Sequence, residues 1–370
     1  MARIRWYDNS DCYVWLFNVG RGLSAFIKTP LNQGIIVDLG ASRDYSPQEF
    51  IAREILPHLD LYRQLYDDGD YKDFKIAQVI ISHPHVDHFN NIDMLFPLES
   101  SNPFQPALLT CPHSHGEAPD EALNWARIKN YPESKEKERL YRESYKKRNP
   151  PLQTIQFHAG YTVQDFEYGI YYIPPPICEE IYPNDNDSDN VKYGNATSLV
   201  LFLRYGKNTI LFPGDMPPES MSYLLSEGRG VQKRYTRFNP NFKDSHPKWH
   251  EETSDQPSLK ACLETYGLSI LIAPHHGLES GYSSELYQCI KTGKPMLVLI
   301  SEKRHKTDHN GSVDDKYRSG AHGLSIDVEG KTEPYCSFST ANNKHILVKF
   351  NGYDAPTVYA REKDMNLLDK

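Results

Sequence analysis

Short apolar runs separated by glycine-bearing turns open the chain. Residues 13–17, 24–28 and 34–38 are rich in β-branched and aromatic side chains, and each predicts a strand. From 47 to 66 the apolar positions Phe50, Ile51, Ile55, Leu56, Leu59 and Leu65 recur at helical spacing and predict a helix. The run 76–82 is apolar almost throughout, as in a strand covered on both faces, and a helix is expected from about residue 90. Further strands are expected at 154–157, 169–173, 269–273, 296–300 and 345–350. Between 198 and 212, two apolar arms flank Tyr205-Gly-Lys-Asn208 and predict a hairpin. Two stretches break this rhythm. Around 117–149, Glu and Lys/Arg intermingle with Trp125, Tyr131 and Tyr141, which predicts an inserted helical segment interrupted near Pro132. A second insertion is expected at about 217–262, polar and basic–aromatic from 228 to 257. Strands in two clusters with helices between them predict a layered α/β arrangement of two facing sheets.

Composition narrows the class. With 370 residues, 39% hydrophobic and 12% aromatic, the chain can bury a substantial core as one large domain or two smaller ones. A formal net charge of -8 argues against coating nucleic acid by bulk electrostatics, although a local basic groove would suffice for a nuclease. Cysteines 12, 111, 178, 262, 289 and 336 form no CxxC pair, which predicts scattered thiols in a reducing compartment. The start Met-Ala-Arg-Ile-Arg-Trp-Tyr-Asp lacks the apolar core of a signal peptide. No apolar run reaches the roughly 18 residues of a membrane span. A cytoplasmic protein without a membrane partner is the expectation.

The strand at 76–82 delivers the chain into Ser82-His83-Pro84-His85-Val86-Asp87-His88. Imidazole and carboxylate together suit zinc, manganese or iron. Four such groups in six residues cannot share one helix face. On a turn they can split between two ions, His83 and His85 on one, Asp87 and His88 on the other.

His83-x-His85-x-Asp87-His88 resembles the HxHxDH signature of the metallo-β-lactamase superfamily. The resemblance implies an α/β fold, a four-layer αβ/βα sandwich with two facing mixed sheets and helical insertions. It would span residues 1–350 and leave a C-terminal tail at 351–370. Phe212-Pro-Gly-Asp215 resembles the family's Gly-Asp motif, which implies that Asp215 is a bridging carboxylate. Ala273-Pro-His275-His276-Gly277 resembles its late histidine motif. With Asn195-x-x-Ser198, these features are most similar to the hydrolase domain of bacterial competence (DNA-uptake) channel proteins. Phe17-Asn-Val-Gly-Arg-Gly-Leu23 resembles that branch's opening Asp-Val-Gly-Gln-Gly-Asp, with Asn18 and Leu23 in place of aspartates. Asn195 stands where many members have a third histidine on the first metal. His113 and His115 are spare candidates.

What the resemblance implies is a site of two divalent ions, zinc foremost and manganese as the other option. The ligands would be His83, His85, Asp87, His88, Asp215 and His275. Ions about 3.5–4 Å apart lower the pKa of bound water to about 7, so a metal-bound hydroxide is the expected nucleophile, oriented by Asp87. Of the adjacent pair, His275 reads as the ligand and His276 as the group that meets the oxyanion or protonates the leaving group; the reverse order is the alternative. Asn195, Ser198, His305, Tyr317 and His322 are candidate substrate contacts. The branch favours a phosphodiester substrate, hence a nuclease or nucleotide phosphodiesterase acting on nucleic acid or nucleotides. Basic residues interleaved with aromatics at 127–148 and 229–248 suit phosphates and stacked bases, although Glu133, Glu136, Glu138 and Glu143 dilute the first run. Two rival readings remain open. One is hydrolysis of a small ester, lactone, thioester or phosphoester. The other is a metal-binding interaction module without catalysis, meeting a protein partner through its inserted segments.

Overall fold

The computed structural model describes residues 11–30, 32–65, 71–96, 102–112, 152–153, 166–173, 175–182, 187–226, 232–236, 250–254, 258–302 and 313–362. The larger sheet has nine strands. In spatial order they are β17 (Lys331–Tyr335), β16 (Leu324–Val328), β20 (Thr357–Arg361), β19 (His345–Phe350), β1 (Cys12–Leu16), β2 (Ser24–Lys28), β3 (Gly34–Leu39), β6 (Ile76–Ile80) and β7 (Pro106–Thr110). The second sheet has seven strands. These run β18 (Ser337–Ser339), β15 (Leu297–Ile300), β14 (Ile270–Ile272), β11 (Asn208–Phe212), β10 (Val200–Tyr205), β9 (Phe166–Tyr171) and β8 (Leu152–Gln153). Two ribbons complete the set among the described residues, β4 (Tyr62–Leu65) with β5 (Tyr71–Phe74) and β12 (Gln232–Thr236) with β13 (His250–Ser254).

Period-two alternation explains why the sheets stack. In β1, Cys12, Val14 and Leu16 enter a cluster that also takes Leu201, Leu203 and Tyr205 from β10, so this cluster lies between the sheets. Tyr13 and Trp15 turn the other way, onto Phe50, Ile51, Ile55 and Leu56 of a helical segment that starts at α1 (Gln48–Phe50). On the far side, Val200 and Phe202 pack on Met221 and Leu224 of a helix at Pro218–Ser226 and on Leu259 and Leu263 of a helix at Leu259–Tyr266. The order is helix, sheet, sheet, helix: a four-layer αβ/βα sandwich of two mixed sheets. Each buried large apolar side chain contributes roughly 1.5–3 kcal/mol, and apolar faces on both sides of the strands build the three clusters at once. A buried polar tie crosses the central layer. Tyr168 donates its hydroxyl to Gln78 (2.5 Å), whose amide donates to Thr110 (2.7 Å).

Several expectations change. The helix expected over 47–66 leaves helical geometry at Leu59, and Leu65 belongs to β4 instead. The helix expected from residue 90 is a short 3-10 turn at Ile92–Leu95. The stretch 351–370 is not simply a tail, because β20 pairs with both β19 and β16. A tail has no neighbour to satisfy its backbone, whereas Thr357–Arg361 finds one on each side. The 217–262 insertion is narrower than expected, because the helices at both its ends are packed members of the outer layer. The hairpin forms with a two-residue turn. A Cβ on Gly206, at φ +56°, would stand 2.1 Å from the Gly352 carbonyl oxygen. The expected strand at 154–157, the insertion at 117–149 and much of 228–257 lie outside the described residues. All six cysteines are free. Among the described residues, no helix is long and apolar enough to cross a membrane.

The topology creates one functional edge. β3 and β6 run parallel in one sheet, and β11, β14 and β15 run parallel in the other. Their carboxyl ends meet where Leu199 donates its N–H to Ser82 O (2.8 Å) and His275 donates to Gly214 O (3.2 Å). Carboxyl ends of parallel strands are where α/β sheets place their sites.

Candidate metal centre

Five chain segments reach that edge. β3 supplies Asp38, the turn after β6 supplies Ser82 to His88, the turn after β11 supplies Asp215, the turn after β14 supplies His275 and His276, and β15 leads into Ser301. Among the described residues, two groups of possible ligand atoms result, each with all its atoms within 4.8 Å of one another. One is His83, His85 and Asp215, and the other is Asp87, His88 and His276.

Asp215 lies between them. Its Oδ2 stands 3.7 Å from His83 Nε2, and its Oδ1 stands 3.4 Å from His88 Nε2. Gly214, at φ +59°, lets the chain turn tightly here, with a would-be Cβ 3.0 Å from both Ser82 Cβ and Ser198 Oγ. Ser198 is fully buried and accepts the Asp215 N–H (3.2 Å), so it fixes this turn.

Asp38 is the residue that sequence reasoning missed. It stands one residue before the end of an otherwise apolar strand, a position where a buried carboxylate must find donors. It accepts the Ser82 N–H (2.6 Å), the Ser82 hydroxyl (2.7 Å) and His88 Nδ1 (2.7 Å). Its own φ of 58° is left-handed, a conformation that costs an L residue roughly 1–2 kcal/mol. The cue was the acid closing Gly34-Ile-Ile-Val-Asp38, but its partners lie 44 and 50 residues away in sequence.

The residues present fit divalent cations. His88 spends Nδ1 on Asp38, and His276 gives its Nδ1 proton to the Ser301 carbonyl (3.2 Å), which can only accept. Both rings therefore turn Nε2 lone pairs inward, and both Nε2 atoms are buried without a hydrogen-bond partner. His276 Nε2 faces Asp87 Oδ2 at 3.4 Å and Asp215 Oδ2 at 3.5 Å. Lone pairs converging on carboxylates repel unless a cation sits among them. The other group repeats the pattern. Ser82 Oγ, its proton on Asp38, accepts from His83 Nδ1 (3.0 Å), which leaves the His83 Nε2 lone pair 3.1 Å from His85 Nδ1.

Electrostatics agree. Burial holds His83 well below the usual histidine range and lowers His85 as well, so both are neutral, the form that ligates. Burial opposes ionisation of Asp87 and Asp215, but the surrounding histidines outweigh it and hold both carboxyls below the usual range. Burial also opposes a charge on His88, yet Asp215 and Asp38 overcome it and raise its pKa well above the ordinary value. A metal bound there would take the place of the proton that these carboxylates otherwise favour on this ring.

The pair His275–His276 resolves into two positions. Both residues have positive φ, 49° and 56°, directly after Pro274. This backbone turns His276 inward and leaves His275 Nε2 3.9 Å from Asp215 Oδ2, with its Nδ1 at Ser280 Oγ (2.8 Å). The geometry thus reverses the order read from sequence: His276 joins a ligand group, and His275 lies beside it, partly exposed.

The candidate substrate contacts fare differently. Asn195 is buried close by, its Oδ1 without a partner, one residue after Gly194, where a Cβ would stand 2.8 Å from His85 Nε2. Tyr317 is 1% exposed and packs edge-on to Tyr282 in the outer cluster. His322 is exposed and bonds Thr292 O (3.2 Å) and, through its N–H, Pro295 O (3.0 Å). Those partners precede β15, at the end of the strand opposite Ser301, so His322 is remote from the site. His113, His115 and His305 lie outside the described residues.

No protein-family model matches the chain, and no curated protein does so either. Among solved structures, it is similar to the crystal structure of a new diphosphatase from the PhnP family. The match has 11% identity and a TM-score of 0.29, and covers 78% of this chain and 86% of the other. The two sheets and three clusters described above carry the fold class here.

Proposed function

We propose that this protein is a metal-dependent phosphodiesterase of the metallo-β-lactamase superfamily, acting on nucleic acid or nucleotides. The observation that carries the reading is Asp215, whose two carboxylate oxygens reach two separate groups of inward-facing imidazole nitrogens. His83, His85 and Asp215 would hold one ion and Asp87, His88, His276 and Asp215 the other, with zinc favoured by the nitrogen-rich donors and manganese second. Bound ions would supply Lewis acidity and water of lowered pKa.

The chain's own groups do the rest. Asp87, kept ionised by His276 and His88, offers a carboxylate oxygen that accepts a hydrogen bond from the attacking water and orients it. Its side chain is 29% exposed and that of His275 19%, so the site opens on their side. His275 meets the substrate there, and its Nε2 is placed to donate a hydrogen bond to developing charge. Ser82 and Asp38 hold His83 and His88 in the tautomers that ligation needs.

The test is to count bound zinc and manganese, then offer DNA, RNA, cyclic nucleotides, a thioester and a lactone. Phosphodiester cleavage by the parent, lost in Asp87→Ala and His88→Ala, is the expected result. Full metal content with turnover of the thioester or lactone alone would overturn it.

A further inference from the structure

The two ligand groups draw on both sheets. Asp87 follows β6 in the larger sheet and His276 follows β14 in the second, yet Asp87 Oδ2 and His276 Nε2 stand 3.4 Å apart. Their spacing is therefore set by the contacts that tie the sheets together at this edge. Beside His83, Leu199 donates its N–H to the Ser82 carbonyl (2.8 Å). Beside His276, the tie is made by Ser301. This buried residue follows β15 of the second sheet, and its hydroxyl donates to Gly22 O (2.6 Å) in the turn between β1 and β2 of the larger one.

Both ends of the Ser301 tie reach a ligand. The turn Gly20-Arg21-Gly22 lies against Asp87, because a Cβ on Gly22, at φ 119°, would stand 2.2 Å from the Asp87 carbonyl oxygen. A Cβ on Gly40 would stand 2.7 Å from the same oxygen, and Gly40 donates its N–H to Leu23 O (2.9 Å). The Asp87 backbone is thus gripped between two glycines that can approach it only because they lack side chains. At the other end, the peptide unit joining Ser301 to Glu302 is fixed through both its polar groups. Its N–H donates to Thr340 Oγ1 (3.2 Å), and its carbonyl accepts His276 Nδ1 (3.2 Å). His276 needs this aim, because its left-handed backbone (φ 56°) persists only where its surroundings hold it.

We propose that Ser301 is a positioning residue that fixes the spacing of the second ligand group. Its hydroxyl docks the glycine turn that grips Asp87 and its carbonyl aims His276, so the two ligands are held as one unit. The assignment rests on the two-ion reading above and not on the choice of substrate. Partners that hold a ligand from behind are worth about 10- to 100-fold in metal affinity. Ser301 differs from an ordinary partner of this kind. Loss of its hydroxyl leaves its carbonyl in place on His276 and cuts only the tie to the other sheet. The ion between Asp87 and His276 then loosens, while the ion at His83, His85 and Asp215, beside the Leu199 tie, does not.

The experiment compares the full chain with Ser301→Ala, Thr340→Val and the double variant by stepwise zinc titration, alongside imidazole NMR spectra of the metal-free proteins. Ser301→Ala is expected to weaken one ion by about 10-fold and to leave the other within about twofold. Thr340→Val, which strips the Glu302 N–H of its acceptor, should weaken the same ion. The double variant should lose less than the product of the two single losses, since both act on one peptide unit. In the metal-free parent, the His276 Nδ1 proton should be protected from exchange with water, and Ser301→Ala should speed that exchange by about 10-fold. A fall in Tm with both ions weakened alike, as a merely structural role would give, overturns the assignment, and so do single losses that multiply. A parent that binds no zinc would overturn the two-ion reading and the role of Ser301 together. A parent that binds two ions, both held equally well by Ser301→Ala, would remove Ser301 alone.

Discussion

The two ligand groups are built by different means. In the group of Asp87, His88 and His276, each ring is aimed by a hydrogen bond from its other nitrogen, His88 to Asp38 and His276 to the Ser301 carbonyl. In the group of His83, His85 and Asp215, His83 leans on Ser82 Oγ, while His85 presses its Nε2 against the backbone at Gly194. One group is held chiefly by directed polar contacts, the other partly by close packing. The first should therefore respond to changes of charge and donor, and the second to changes of volume.

The largest expected effect tests whether the groups are joined at all. Asp215→Ala should remove both metal equivalents and lower activity by about 1000-fold or more, since it strips both groups of one carboxylate. Loss of a single equivalent by elemental analysis would show that the carboxylate is not shared. Next comes metal removal. Chelation should lower stability by about 4 kcal/mol relative to protein held at metal 1,000 times Kd, read as a fall in Tm that added zinc reverses.

Two substitutions then set the groups against each other. Asp38→Asn should weaken the ion at Asp87, His88 and His276 by about 10- to 100-fold in stepwise metal titration, with a smaller change at the other group. Gly194→Ala should do the opposite. Its new methyl would meet His85 Nε2 at 2.8 Å, so the group of His83 and His85 weakens first. A cost of roughly 1–3 kcal/mol is expected in denaturant melts. Equal effects of both substitutions on both ions would dissolve the distinction. The smallest effect is Ser198→Ala, which leaves the Asp215 N–H without its acceptor and should cost about 1 kcal/mol without altering metal stoichiometry.

Much of the site was legible because it is local. His83, His85, Asp87 and His88 occupy six consecutive positions after an apolar strand, and Asp215 closes another strand at Phe212-Pro-Gly-Asp215. The strands were legible for a similar reason, since β2 and β19 show their apolar patterning within a few residues. Where Tyr317, His322 and Ser198 lie was not legible, because residue type alone says nothing of burial or of which end of a strand a loop occupies. Asp38 and Gly194 were missed because their significance lies in partners far along the chain.

The sequence by itself determined which groups could bind metal and that strand ends would present them. Only the tertiary structure decided which nitrogen of each histidine faces inward, that His276 rather than His275 enters the second group, and that the Arg21 turn lies against Asp87. The reason is physical. Side-chain chemistry and strand periodicity are written over a few residues. Ring orientation depends instead on hydrogen bonds that close over tens to hundreds of residues, such as Ser301 to Gly22 across 279 positions, and exists only once the two sheets have packed.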